Sequence, residues 1–547
     1  MLDFTKHLTT RLARLMTPQA EPIQGTAQLP NSAGGYTWAV DDWVRFDRFL
    51  IFGTERGTYY IRERTLTREN AVAVAACIAA DGPRAVRRVV EISESGRAPT
   101  NDPALFALAM AAGTGDDATR AAALSALPRV ARTGTHLFHW LQYVKAFRGW
   151  GRGVRTAIGR WYTARTPGDL AYQILKYRQR DGWSHRDALR LAHPKPTSYE
   201  HDVLFRYATR GWGAIAGSNA LRTDIGGRLE AVEALRDMTP AEAARVVRIY
   251  NLTREMLPTE LLAHPVIWEA LLDSMPLGAL VRNLGVMSKV GLLAPGASAT
   301  AAVVARLGDR DAIRRARVHP FALLVALKTF AQGGGFRGDG RWNPIPQIVD
   351  ALDGAFYLAF ENAAATGKRI MLALDVSGSM GAPVNGMPFL TCREATAAMA
   401  LVTAATEPLH RFVAFTAGGS PSMWPDLNSG LTPLSISPRQ RLDDVVRSIS
   451  GLAFGGTDCA LPMVEALKHR WAVDAFVIYT DNETWAGNIH PAQALRAYRE
   501  RMGIPAKLIV VGMTSNGFSI ADPDDAGMLD VVGFDTATPQ VIAEFMG

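Results

Sequence analysis

From about Trp38 to Phe360 apolar residues recur at three- and four-residue steps, the spacing that gathers them on one face of an α-helix. Short helices are predicted near 67–80, 84–94, 103–112 and 117–132, joined by turns that contain Gly or Pro. Asp102-Pro103 places an N-cap ahead of a first-turn proline, and Gly113 supplies a stop. Thr239 with Glu242, and Ser184 with Asp187, match the capping box, in which two side chains satisfy each other's free backbone donors. Pairs of short helices suit an α-solenoid, where each repeat buries its apolar face only against a neighbour. The strict signatures of tetratricopeptide and ankyrin repeats are missing. A degenerate HEAT-like solenoid is favoured, with a compact helical bundle as the alternative.

The pattern breaks at Gly333-Gly334-Gly335 and again at Thr366-Gly367-Lys368. Beyond it, residues 369–375, 412–415, 475–480 and 507–512 form short apolar runs of the kind buried on both faces of a parallel sheet, and 393–406 is helical. Strand and helix alternating in this way predict a doubly wound α/β domain. Residues 1–35 are polar and punctuated by Pro and Gly, which predicts a loose arm. The expected division is therefore 1–35, a helical region over 36–365, and an α/β domain over 366–547.

A chain of 547 residues exceeds one ordinary core, in keeping with this division. No apolar run reaches the ~18 residues that would cross a bilayer, so no membrane insertion is expected. The N-terminus begins Met1-Leu2-Asp3-Phe4 without the order of a secretory signal, which leads to the expectation of a cytoplasmic protein. Cys77, Cys392 and Cys459 are odd in number and form no C-x-x-C, arguing against both a disulfide framework and a thiolate zinc site. The net charge of +7 says less than its distribution. Between Arg129 and Lys195 stand fourteen Lys and Arg against Asp169, Asp181 and Asp187, while the rest of the chain is net negative. Trp140, Tyr143, Phe147, Trp150, Trp161, Tyr162, Tyr172, Tyr177 and Trp183 share the stretch. Cations for phosphates, interleaved with rings for unpaired bases, point to RNA.

At the end of the first α/β strand lies Asp375-Val376-Ser377-Gly378-Ser379. This D-x-S-x-S pattern resembles the first motif of a metal ion-dependent adhesion site, as found in von Willebrand factor A domains. A loop leaving the carboxyl edge of a parallel sheet can aim one carboxylate and two hydroxyls at a point, hard ligands suited to Mg²⁺. Thr457, in Gly455-Gly456-Thr457-Asp458, would add a second-loop hydroxyl. Asp481, in Thr480-Asp481-Asn482-Glu483, stands where a third-loop aspartate belongs. Few carboxylates reach the ion, leaving net positive charge and an open position for an acidic group. Read alone, Ser377 and Ser379 could instead serve a tight turn, and Cys459 reads as a small buried residue at a helix start.

Several stretches together resemble the Ro autoantigen family, in its bacterial type. They are residues 176–180 (KYRQR) and 182–195 (GWSHRDALRLAHPK), then 257–261 (LPTEL), 268–272 (WEALL) with Met275-Pro276, and 282–285 (RNLG). The C-terminal part adds 455–462 (GGTDCALP), 479–484 (YTDNET) and 512–525 (GMTSNGFSIADPDD). The matches run from about residue 140 to the end; upstream of 130 the resemblance is diffuse. It implies a helical module called TROVE, HEAT-like and bent into a ring with a positive hole, whose ends a von Willebrand factor A domain clasps. It implies a monomeric ring that binds Y-type RNA outside and takes single-stranded 3′ ends of misfolded or immature non-coding RNA through the hole. Exoribonucleases such as polynucleotide phosphorylase are the implied partners, in RNA decay and maturation. Family positions for Y RNA fall on Lys176, Arg180 and His193. The residues themselves suggest that Lys176 and Arg180 share a helix face near Tyr172 and Tyr177. His193 by itself reads as a cation at a helix C-terminus. Arg178, Arg186, Arg190 and Lys195 are candidates by proximity, each of which could equally be a solvated surface charge.

No catalytic set is evident: the G-x-x-x-x-G-K-[ST] phosphate loop is missing and the D-x-S-x-S motif contains no base, so no enzyme is expected. A metal-dependent adhesion or co-chaperone protein for acidic ligands is the alternative, and a metal-dependent nuclease the third possibility. The acid-poor stretch 129–195 argues against the second, since a peptide groove needs no such excess of cations.

Overall fold

The computed structural model describes residues 17–26, 28–30, 34–39, 42–52, 71–95, 100–335, 340–363, 365–384, 387–415, 430–452, 457–480, 484, 486–513, 518–522, 525, 527–532, 542–543 and 545–546. Most helices of the N-terminal part pack on near neighbours in sequence. Asp102–Thr114 lies against Asp117–Val130 and Gly134–Phe147, Pro240–Tyr250 against Pro265–Ser274, and Pro320–Ala331 against Pro346–Leu358. This is solenoid packing, in which an apolar face has only the next turn of chain to cover it. The stretch expected as two helices near 67–80 and 84–94 is Val72–Ser95, kinked at Asp81. There the backbone leaves helical geometry, the Asp81 carboxylate accepts from the Arg84 N–H at 3.0 Å, and Pro83 stands in the renewed first turn. The kink is thus an internal cap, and the two-part reading has a physical basis.

Local differences from the sequence reading follow the same chemistry. Asn101, not Asp102, is the N-cap residue of the next helix, because its amide reaches across to the Val130 carbonyl at 2.7 Å and so fixes the chain ahead of Asp102. That helix runs through Gly113 to Thr114. Both capping boxes form, at Ser184/Asp187 and Thr239/Glu242.

The α/β domain holds a six-stranded sheet in the order Leu431–Leu434, His410–Phe415, Ile370–Asp375, Ala475–Thr480, Lys507–Gly512, Met528–Val532. The first of these is antiparallel to its neighbour and the other pairs are parallel. Strand order reverses between Ile370–Asp375 and Ala475–Thr480, so the crevice of this doubly wound sheet opens at their carboxyl ends. Successive side chains face opposite ways. Ile370, Leu372 and Leu374 enter a core continuous with that of the helices, whereas Met371 and Ala373 join Phe476, Ile478 and Leu508 on the other face.

The arm expected to be loose over 1–35 is, from Thr17 onward, tied to this domain; residues 1–16 lie outside the described residues. Gln19 is fully buried. Its Nε2 donates to Asp458 Oδ1 at 2.7 Å and the Ile489 carbonyl at 2.9 Å, and its Oε1 accepts from the Thr484 hydroxyl. Strand Tyr36–Ala39 pairs with Gln28–Pro30 and with Phe518–Ser519 of the domain. A polar composition misleads here because hydrogen bonds from polar groups such as the Gln19 amide hold the arm. At the other end of the solenoid Lys328 pairs with Glu394 at 2.7 Å, Arg441 with Asp353, and the Tyr357 hydroxyl accepts from the Leu442 N–H at 2.9 Å. The helices leave from the α/β domain and return to it, which closes the ring.

Two outcomes test this account. Gln19→Ala leaves half-buried Asp458 and buried Thr484 with fewer partners, and should lower stability in denaturant by about 2 kcal/mol or more while speeding hydrogen exchange over 17–39; unchanged exchange would show that the arm is held otherwise. His185 is buried against Phe138, Trp161 and Tyr162, and burial lowers its pKa from 6.5 to about 4. The unfolded chain binds a proton that the folded one refuses, so its contribution, on the order of 3 kcal/mol, is present above about pH 6.5 and is lost as pH falls toward 4. His185→Gln should flatten the dependence of the melting temperature on pH within that window.

Candidate functional site

Asp375 ends its strand at the switch point, and both it and Ser377 are buried. One carboxylate oxygen accepts from the Ser377 N–H at 2.8 Å and the other from the Thr480 hydroxyl at 2.8 Å, while the Ser377 and Ser379 hydroxyls lie 2.9 Å apart. Three of the five expected metal ligands therefore share one loop, their oxygens oriented by the strand end. Thr457 is buried in the adjoining loop, whose carbonyl accepts from the Ala486 N–H at 3.1 Å. Asp481 lies outside the described residues. Among the described residues no three His, Cys, Asp or Glu gather to hold a metal. The donors here are instead one carboxylate and hydroxyls, which suits Mg²⁺ and not a soft metal. The loop of Thr457 also meets the arm, since Asp458 accepts from Gln19; burial raises the Asp458 carboxyl above its ordinary range. Cys459 is buried, and burial pushes its thiol well up, which makes it structural.

The basic stretch separates into distinct surfaces. Helix Pro167–Lys176 stops at Lys176, so the shared helix face proposed for Lys176 and Arg180 does not exist. Arg180 sits in a two-stranded hairpin, Gln179–Arg180 with Trp183–Ser184, turned by Asp181 (φ 51) and Gly182 (φ 76). The Asp-Gly pair is the signal for this turn, since both central positions need positive φ. His139 Nδ1 stands 2.5 Å from the Asp181 carboxylate and anchors the turn to helix Gly134–Phe147.

Arg178, Arg180, Arg186, Arg190, His193 and Lys195 are all exposed along the hairpin and the helix His185–Ala192. His193 is the C-cap residue of that helix, in the left-handed region at φ 47. Beyond it, Lys195 joins Arg152, Arg155 and Trp150 around an open groove of about 660 Å³. Among the described residues no carboxylate pairs with Arg152, Arg155, Arg186 or Lys195. Elsewhere surface cations do pair, as in Arg88 with Asp47 at 2.5 Å and Arg248 with Asp273 at 2.7 Å. Lys176 lies apart from the groove. Its Nζ donates to the Tyr172 hydroxyl at 2.7 Å, with Glu255 at 3.7 Å, in a cavity that also takes Arg228, Arg254 and Arg282. Burial works against its charge, but Tyr172, Tyr177 and Glu255 outweigh this and raise its pKa. Reading by proximity in sequence missed these three arginines, which come from helices far along the chain. Arg152 and Arg155 were within the basic stretch, yet nothing local distinguished them. Trp140, Trp161 and Tyr162 are fully buried core, so they offer no face to a base. Trp150, Trp183, Tyr172 and Tyr177 keep partial exposure.

A helical solenoid whose two ends meet on an α/β domain, with a D-x-S-x-S loop at the switch point, defines a class: a ring closed by a von Willebrand factor A-type domain. The family described as Ro60 vWA domain matches residues 369–546, and the TROVE domain family matches 29–248 and 249–333. The chain is 42% identical over 543 residues to the RNA-binding protein RO60 of Deinococcus radiodurans, covering 99% of each. It is 37% identical over 593 residues to the RNA-binding protein RO60 of Caenorhabditis elegans, covering 95% of this chain and 90% of the other. The crystal structure of the Deinococcus radiodurans RO (RSR) protein superposes with a TM-score of 0.76 at 42% identity, over 92% of this chain and 99% of that one. The chain belongs to the Ro family.

Proposed function

We propose that this protein binds non-coding RNA, holding structured, Y-type RNA on its outer basic surface and accepting single-stranded 3′ ends of misfolded or immature RNA at its ring. The observation that carries the reading is a set of exposed cations, Arg152, Arg155 and Lys195, which line a groove beside Trp150 and have no carboxylate partner among the described residues. Unpaired cations that stay hydrated cost little in the free protein and release counterions from a phosphate backbone on binding. A protein surface partner would not require their number, and the relatives' names support nucleic acid over an acidic peptide. Arg178, Arg180, Arg186, Arg190 and His193 lie along the same exposed hairpin and helix, so one duplex could touch them in succession. Binding of this kind positions RNA by its backbone and needs no bond-making, in keeping with a protein that is not an enzyme. An exoribonuclease such as polynucleotide phosphorylase, working with a monomeric ring in the cytoplasm, would act on the end that the ring presents.

Asp375, Ser377, Ser379 and Thr457, with Asp481, would hold Mg²⁺. Bound there, the ion would supply positive charge and an open coordination position. The chain's own part is to keep the Asp375 carboxylate aimed through Thr480 and the Ser377 N–H, and to tie the Thr457 loop to Gln19 at the ring closure.

Replacing Lys176 and Arg180 together by Ala should weaken binding of a structured small RNA by about 1–3 kcal/mol, and replacing Arg152 and Arg155 should also reduce the salt dependence of binding. Equal affinity at moderate salt in a filter-binding assay would remove the altered residues from the interface. For the metal, added Mg²⁺ should raise the melting temperature of the parent protein and not of Asp375→Ala. An identical shift in both would place the ion elsewhere.

A further inference from the structure

The cavity at Lys176 shares no lining residue with the groove at Arg152, and its chemistry differs. It lies between helices Pro167–Lys176, Asp224–Ala234, Pro265–Ser274 and Leu277–Lys289, and holds about 650 Å³. That falls within the ~300–1,000 Å³ typical of small-molecule sites. Four cations line it, Lys176, Arg228, Arg254 and Arg282, against the single carboxylate Glu255. Glu255 is drawn to Lys176, and the Arg254 guanidinium donates to Asn283 Oδ1 at 2.9 Å. Arg228 and Arg282 have no carboxylate partner among the described residues. Leu252, Leu271 and Met275, all buried, and the Tyr172 ring add an apolar part to the same lining. The lining also includes the Thr253 hydroxyl, buried and without a hydrogen-bond partner among the described residues. A buried hydroxyl left unsatisfied is costly unless something polar comes to meet it.

We propose that this cavity is a site for one unpaired nucleotide of the bound RNA. Its phosphate lies against Arg228 and Arg282, its base on the apolar side by Tyr172, and its sugar or base edge reaches the Thr253 hydroxyl. Each component has a matching surface: guanidinium for phosphate, ring and aliphatic floor for a base face, and a lone hydroxyl for a polar edge. A cavity of about 650 Å³ has no room for an A-form duplex, so only a nucleotide free of its partner enters. The proposal rests on the RNA reading above and adds to it a second point of contact, selective for unpaired residues.

The probe is adenosine monophosphate, titrated into the full-length protein and followed by saturation-transfer NMR. Binding is expected, weakened about tenfold in Arg282→Ala and in Arg228→Ala, the loss that one charge-assisted contact implies. Thr253→Val, nearly the same shape without the hydroxyl, is expected to weaken it less, and inorganic phosphate to compete only weakly. A hairpin RNA with an unpaired extension should displace the nucleotide, whereas the same hairpin made blunt should bind without displacing it. Arg282 is exposed, so its variant should fold, which an unchanged melting temperature checks. Nucleotide binding that survives both arginine replacements overturns the proposal, as does an extended hairpin that binds without displacement. Failure of the blunt hairpin to bind the parent protein would instead remove the RNA reading itself, and with it the source of the nucleotide.

Discussion

The structure depends on the α/β domain covering both ends of the solenoid. A stack of helices can bury each apolar face only against the next helix, so its first and last members would face water with nothing to cover them. Here the return is made through apolar burial continuous with one face of the sheet, reinforced by Lys328 with Glu394 and by Tyr357 with the Leu442 backbone. The outgoing end is different in kind. It is a polar seam of strand pairing and the buried amide of Gln19. A seam made of hydrogen bonds can exchange its partners for water more readily than an apolar core can, so the two closures are unequal in chemistry.

That polar seam meets the loops at the switch point of the sheet. Asp458, which accepts from Gln19, follows Thr457 directly, and Thr484 touches both the arm and the Cys459 N–H. The groups that orient the candidate metal loops therefore also hold the beginning of the ring. On the proposed reading, an ion at Asp375 would stiffen the same loops that the arm grips, through contacts already present between neighbouring side chains.

Charge is organised by what stands opposite it. In the helical region several arginines at helix surfaces are matched by carboxylates, as with Arg88 and Asp47, Arg129 and Glu94, or Arg248 and Asp273. Exposed pairs of that sort add little stability, but they cancel the local field. At Arg152, Arg155 and Lys195 no carboxylate cancels the charge among the described residues, and the same is true of Arg228 and Arg282 in the cavity at Lys176. Two positive surfaces of different shape result, one an open groove and the other a half-enclosed cavity.

By itself the sequence determined what depends on neighbours along the chain. The capping boxes at Ser184 and Thr239, the change from helical to strand periodicity after Gly367, the strands at 475–480 and 507–512, and the Asp375 loop all rest on contacts within a few residues. Family resemblance carried the Ro assignment for the same reason, since its motifs are local strings. Only the tertiary structure decided that Arg180 leaves the helix of Lys176, that Trp140, Trp161 and Tyr162 are core, and that Arg228, Arg254 and Arg282 converge on Lys176. It likewise tied the polar arm down, through partners such as Asp458 and Thr484 that lie more than four hundred residues away. Burial and charge pairing are properties of which surfaces meet, and composition lists the groups without saying which of them will face one another.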